Sequence, residues 1–538
     1  MAGIPSTIYA QVPIDASMRV DEIFAPWTSA SSPGCAVGVA VDGLTVLERA
    51  YGMADLEHGI PNSSETIFEG GSVSKQFTAA AIMLLALEGQ LSLEDDIRKY
   101  VPEVPSYGPT VTLRHLMTHT SGLRDWGSVA GISGWGREQR SHNHDHVLDI
   151  ISRQSAANFD PGHEYSYSNT GYNLLAIVVD RLTDTSFADF SKERIFEPLG
   201  MKNTQWRDDY RRIVPGRSTA YGTRPGRSWA INRPIEYVHG NGGILTTVGD
   251  LMIWNEALTD GRLGGPEFVR MMHEERGRLS NGTEIVYAGG IRHGTLGGVR
   301  SVSHTGSTAG YRAFLGRYPD YNLSVAMLCN ASNVATGSTG TRIARAFLGD
   351  AVTEPIPTKP ASVSNAALEH YVGLYRDPVT GTTRNLTLVD SKLRDGNTTL
   401  IPISENRFQS GVDATGPFYQ FQSSQTGRPQ FKIEDWQYTN QVFEPVEAWS
   451  PSPDDLVSFE GSYTSYDAET TFQVQVSDGA LTLSQRPGRT RTLTAIYPNA
   501  FSASGQIVRF MSEGDAQATE LSLSLGRVYD MRFQRSGN

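Results

Sequence analysis

The chain of 538 residues is too long for one hydrophobic core and calls for two or three domains. Its 39% hydrophobic and 19% charged residues are ordinary for a globular protein, and no apolar run reaches the 18 residues of a transmembrane segment. A net charge of −12 with no basic stripe argues against a nucleic-acid partner, and two cysteines, Cys35 and Cys329, are too few for a disulfide framework or a cysteine zinc site.

In chain order, Met1 to Ala10 has neither a cationic start nor a long apolar core, so no intact signal peptide is read, and the compartment stays open between periplasm and cytoplasm. Residues 33–41 and 44–50, joined by Asp42-Gly43, predict a β-hairpin. A short strand at Thr66-Ile67-Phe68 leads through Gly70-Gly71 into an Ala/Leu-rich helix that begins at Ser72 and closes at Gly89. From about Leu91 to Asp208 the pattern is helical, with segments at 113–117, 147–152, 171–182 and 187–196. Strand character returns at 299–302, 312–318 and 323–329, and a helix follows at 335–348. Strands at both ends and helices between them predict one mixed α/β domain, residues 1–351, whose N-terminal hairpin joins the C-terminal strands in a sheet beside a helical lobe.

Residues 352–364 are proline-rich and polar, and read as a linker. Beyond it Leu368, Tyr371, Gly373 and Tyr375 recur 88 residues later as Leu456, Phe459, Gly461 and Tyr463. Both copies continue in short alternating strands, which predicts two small antiparallel β-barrels over 365–448 and 449–538.

Three pieces of sequence carry chemistry. Ser72 and Lys75 lie one helical turn apart, so an amine kept neutral by burial could activate the hydroxyl. Tyr167 and Asn169 pair a phenol able to act as acid or base with an amide able to hold a lysine or a substrate carbonyl. Ser303-His304-Thr305-Gly306-Ser307 ends a strand with an imidazole, a hydroxyl and a glycine that lets a ligand approach the backbone. Taken singly, each has a plain structural reading: a capping serine with a solvated lysine, a loop tyrosine with a capping asparagine, a strand edge with its turn.

Taken together, S-x-x-K, Y-x-N and H-T-G in this order resemble the active-site set of the serine β-lactamase and penicillin-binding protein superfamily, in its tyrosine-using, class C-like form. Residues 116–123 (LMTHTSGL) and 242–247 (GGILTT) match as well, and the resemblance covers about residues 15–350. It implies an antiparallel sheet flanked by helices, with no cofactor. Ser72 is then the nucleophile, Lys75 and Tyr167 share proton transfer, and Asn169 orients Lys75 and the substrate amide. The backbone N–H groups of Ser72 and Ser307 form the oxyanion hole, beside Gly306. His304 stands where many β-lactamases have lysine, which weakens a fixed charge for a substrate carboxylate and favours amides or esters over penicillins. The resemblance also places Cys35 and Cys329 on neighbouring strands, with two buried thiols favoured over a bond.

A β-lactamase-like domain followed by two barrels resembles the D-aminopeptidases, and the length and class are also similar to those of the peptidases that cut linearised microcystin. The implied function is a serine peptidase or amidase on short linear peptides, D- or otherwise unusual residues among them. A carboxylesterase and a catalytically silent peptide-binding protein are the alternatives. The barrels are expected to shape access to Ser72 without joining the chemistry, so that a chain cut after about Pro360 keeps ester hydrolysis. In the D-aminopeptidases a long barrel loop restricts the site; the turn taken as its counterpart, Ser502–Gln506, is short. Finally, His142, His144, Asp145 and His146 resemble the zinc-binding H-x-H-x-D-H of metallo-β-lactamases but are one residue short, so Asp145 is read as a helix cap and no metal is expected.

Overall fold

Asp42 and Gly43, at φ 50° and 73°, reverse the chain between strands Cys35–Val41 and Leu44–Tyr51, as both central residues of a primed hairpin turn must. A computed structural model of the chain describes residues 14–224, 226–354, 359–411, 416–422, 427–435, 437, 441–512 and 517–536. The stretch read for a signal peptide lies outside them. The hairpin forms one end of a seven-stranded antiparallel sheet. From the other end its strands run Tyr287–Ala288, Ile291–Leu296, Val299–Thr308, Tyr311–Tyr318 and Leu323–Cys329, which pairs with Cys35–Val41.

The sheet therefore joins strands from the early and late parts of the first domain, as the strand pattern predicts. Alternation on the central strands divides their side chains between two cores. Cys35, Val37, Val39, Val325, Met327 and Cys329 face the helices Ile14–Phe24 and Thr336–Leu348, while Ala36, Ala40, Ala326 and Leu328 face the helical lobe. Cys35 lies directly opposite Cys329 in the ladder, and the two are joined by a disulfide. The expectation of two thiols is corrected: a one-to-one register across an antiparallel pair leaves the two sulfurs facing each other.

The lobe is built around the helix Lys75–Leu87, buried on every face from Lys75 to Leu85. Such a helix is a core element and not an amphipathic surface one. Ser72 does not begin this helix. Gly71–Ser74 is a separate 3₁₀ turn, and the α-helix starts at Lys75. Gly71, at φ 51°, makes the turn possible, and a Cβ there would meet the Ser307 nitrogen at 2.7 Å.

Two closed eight-stranded barrels follow, one from Gly373 to Val446 and one from Gly461 to Arg535. The sequence repeat is a folding device used twice. In each copy a tyrosine hydroxyl donates to a carbonyl four residues earlier, Tyr375 to Tyr371 and Tyr463 to Phe459, both at 2.9 Å. In each copy, too, an arginine (Arg428 or Arg535) lies over that tyrosine ring and fills the place where the glycine has no Cβ.

The second barrel is docked through a buried polar contact. Arg124 Nη1 binds Asp467 Oδ2 at 2.7 Å with the side chains 3% and 9% exposed. Arg124 Nη2 also donates to the Tyr529 carbonyl, and Gln154 donates to the Asp467 carbonyl. Apolar packing runs on from the lobe into the barrel, with Trp126 and Phe533 in one cluster. This corrects the picture of a removable wall: cutting after Pro360 would leave a buried arginine without its carboxylate and open the lobe's core to water.

Candidate active site

Lys75 is fully buried, and its amine has three neighbours: the Asn241 carbonyl at 2.6 Å, Asn169 Oδ1 at 3.0 Å and Ser72 Oγ at 3.3 Å. Burial lowers its pKa well below 10.5, and the positive charges of Arg527 and Arg137 lower it further; Asp125 opposes them. A neutral amine has two N–H donors and one lone pair. The Asn241 carbonyl and Asn169 Oδ1 can accept only, so they take both donors. In the neutral form that burial favours, the lone pair is left for Ser72, whose O–H then donates to Nζ across the 3.3 Å contact. This is a nucleophile held against its base.

Tyr167 stands over the same amine, its ring centroid 4.8 Å from Nζ. Its hydroxyl is buried and makes no hydrogen bond of normal geometry among the described residues. Burial raises its pKa to about 12, against smaller lowering effects of the Ser72 hydroxyl and Arg527, so it is a neutral phenol at ordinary pH. His119 holds it in place. The His119 carbonyl accepts from Ser166 N at 2.9 Å, its Nδ1 accepts from Ser168 N at 3.2 Å, and its ring packs 4.2 Å from that of Tyr167. His119 does this at φ 60°, a conformation rare for a residue with a Cβ. Asn169 is fixed by its own N–H, which donates to Asp125 Oδ2 at 2.8 Å.

His304 lies across the cleft, and both its nitrogens are occupied. Nδ1 faces the Thr305 carbonyl at 2.6 Å and must carry the proton, so Nε2 accepts from the Tyr287 hydroxyl at 2.9 Å. Burial, then Lys75, lowers its pKa to about 4. It offers neither charge nor donor to a ligand, a stronger departure from lysine than the sequence implied. Gly306 lies where a Cβ would come within 2.0 Å of the Gly70 carbonyl, so only glycine lets the strand Val299–Thr308 close against the Ser72 turn. Ser72, Tyr167, Asn169, His304 and Ser307 all line one cavity of about 360 Å³. All seven site residues read from the sequence thus meet at one place.

Four contributors were not read from the sequence. The Asn241 carbonyl and His119 lie beside or within stretches already matched to the superfamily, and a closer reading of those stretches could have found them. Arg137 lies in a loop with no such signal. It pairs with buried Glu236, Nη2 to Oε2 at 2.7 Å, and Glu236 is shared with Arg207, itself bonded to Glu69. The fourth, Arg527, comes from the second barrel, in the turn between Glu520–Leu525 and Val528–Arg535. The Ser502–Gln506 turn contributes no residue to this cavity.

The three histidines of the zinc-like stretch have separate tasks. His142 packs on Trp126, His144 Nε2 faces the His239 carbonyl at 3.1 Å, and His146 closes a capping box with Asn143. Asn143, and not Asp145, is the cap.

The β-lactamase family model matches residues 20–348, more than half of the chain, and the protein belongs to that family: it is a serine hydrolase of the β-lactamase fold. Among curated relatives, penicillin-binding protein 4* of Bacillus subtilis is 29% identical over 399 residues, 69% of this chain and 86% of the relative. A D-aminopeptidase of Cereibacter sphaeroides is 27% identical over 381 residues, 71% of this chain and 70% of its own. Among solved structures, an octameric penicillin-binding protein homologue from Pyrococcus abyssi superposes with a TM-score of 0.56 at 22% identity, covering 80% of this chain and 98% of that one. The D-amino acid amidase of Ochrobactrum anthropi SV3 gives 0.52 at 21% identity, covering 62% of this chain and 98% of its own.

Proposed function

We propose that the protein is a peptidase or amidase that cleaves short linear peptides through an acyl-enzyme on Ser72. The single observation behind this reading is the buried Lys75 amine, 3.3 Å from Ser72 Oγ and held by Asn169 Oδ1 and the Asn241 carbonyl, so that in its neutral form the lone pair is left for Ser72. Lys75 removes the hydroxyl proton as Oγ attacks the carbonyl carbon. The oxyanion is received by the N–H groups of Ser72 and Ser307. Tyr167, neutral at working pH, gives its proton to the leaving nitrogen and regains one from Lys75, so the two titrate as a pair. With the amine gone, the same pair activates water against the acyl carbonyl. His304 and Gly306 shape the wall along which the substrate lies.

The names of the relatives support amide substrates, D-amino acid derivatives among them. A carboxylesterase would use the same acyl-enzyme, so the deciding experiment offers peptide p-nitroanilides and p-nitrophenyl esters side by side. A fluorophosphonate should label wild type and leave Ser72→Ala unlabelled, and a peptide should add its acyl mass to Ser72. Ester turnover with every peptide refused would replace peptidase with esterase. Failure of both labelling and turnover would reject the acyl-enzyme altogether.

A further inference from the structure

The strand that supplies a fixed cation to many β-lactamases supplies none here, since His304 is neutral with both nitrogens engaged. The cavity still contains two guanidiniums. That of Arg137 is held by Glu236. That of Arg527 is different: it makes no hydrogen bond among the described residues, is 42% exposed, and approaches Asp125 only to 3.9 Å. Asp125 is already occupied, accepting from Ser128 N, Ser128 Oγ and Asn169 N.

The backbone that carries Arg527 is firmly held. Its carbonyl accepts from Asp125 N at 3.3 Å and Asn158 Nδ2 at 3.1 Å, and Tyr529 N donates to Asn158 Oδ1 at 2.8 Å. The Arg527 guanidinium lies 4.8 Å from the Tyr167 ring centroid. This is a cation on a rigid mount, beside the group that protonates the leaving nitrogen. The ion pairs around the cavity form two groups: Arg137, Arg207 and Arg217 against Glu69 and Glu236 leave one positive charge in excess, and Arg527 stands apart with only the distant Asp125 facing it.

We infer that Arg527 is the substrate's carboxylate receptor, and that the second barrel thereby selects substrates whose leaving fragment carries a carboxylate near the scissile bond. A guanidinium offers paired N–H donors that match a carboxylate, and the planar face resting on Tyr167 limits the rotamer freedom lost on binding. Specificity for the leaving side thus comes from a domain outside the family fold. The inference rests on the acyl-enzyme reading above, though not on peptides being the substrate.

The test uses the full chain and two aryl esters with one acyl group, the leaving groups being 4-hydroxybenzoate and 4-hydroxybenzamide. The ratio of their kcat/KM values isolates the carboxylate. Wild type should favour the benzoate by about tenfold, the scale of one charge-assisted contact at a partly exposed site. Arg527→Gln should abolish that preference and Arg527→Glu should invert it, with KM moving more than kcat. Arg527→Lys should retain part of it. A ratio near one in wild type, or one unchanged in Arg527→Gln, would overturn the inference. So would an equal fall on both esters in Arg527→Gln, which would reduce Arg527 to tuning Lys75. Refusal of peptide substrates alongside a normal ester ratio would reject the peptidase reading and leave this one standing.

Discussion

Replacing Asp467 by alanine should damage the active site from outside the family fold. Asp467 accepts from Arg124 Nη1 at 2.7 Å, Ser155 Oγ at 2.9 Å and Ser155 N at 3.1 Å. Without it, Arg124 stays buried with only neutral acceptors, Gln154 Oε1 at 3.1 Å and the Tyr529 carbonyl at 3.2 Å. Stranding one partner of a buried pair costs about 3–5 kcal/mol. The damage should reach catalysis because the Arg124 carbonyl accepts from Thr170 Oγ1 at 2.7 Å, next to Asn169, and because the Arg527 turn is pinned to the same loop. The assay is urea denaturation followed by tryptophan fluorescence on Asp467→Ala, Arg124→Met and the double variant, with kcat/KM measured on each. The double variant should lose less than the sum of the singles, with a coupling of at least about 2 kcal/mol. A loss below about 1 kcal/mol in Asp467→Ala, or strict additivity, would refute the view that barrel and lobe form one unit.

Ser72→Ala should abolish turnover with the fold intact by circular dichroism, and Lys75→Ala and Tyr167→Phe should each cost at least about a hundredfold in kcat/KM; near-wild-type rates in any of the three would remove the assignment. Because Lys75 must be neutral to accept a proton and its pKa lies well below 10.5, kcat/KM should rise with pH as the amine deprotonates. Arg527→Gln removes a nearby positive charge, so that limb should move to higher pH, and a pH–rate profile that stays still would contradict the electrostatics. His119→Ala should lower kcat by tenfold or more by releasing the Tyr167 segment, with little change in KM on a small ester. Cys35→Ala with Cys329→Ala should cost about 2–4 kcal/mol of stability in denaturant melts, with activity retained in the folded fraction.

The amino-acid order by itself determined the parts whose physics is local. Periodicity and turn chemistry gave the hairpin at Asp42-Gly43, the buried helix after Ser72 and the strands that form two barrels. The resemblance of three motifs, in their order, to a known active-site set named Ser72, Lys75, Tyr167, Asn169, His304, Gly306 and Ser307, because a reaction on a fixed scaffold constrains residue types at fixed places. Tertiary structure decided what depends on chain segments far apart in sequence. The disulfide follows from the one-to-one register of Cys35 with Cys329, 294 residues apart. The neutrality of His304 follows from its burial and from the nearby Lys75, which no spacing rule connects to charge. Arg527 looked like any barrel-turn arginine, since its position in the cleft depends on how the second barrel docks through Arg124 and Asp467. Local propensity contains no information about such docking, because the buried pair gains its energy only when two separately folded surfaces exclude water between them.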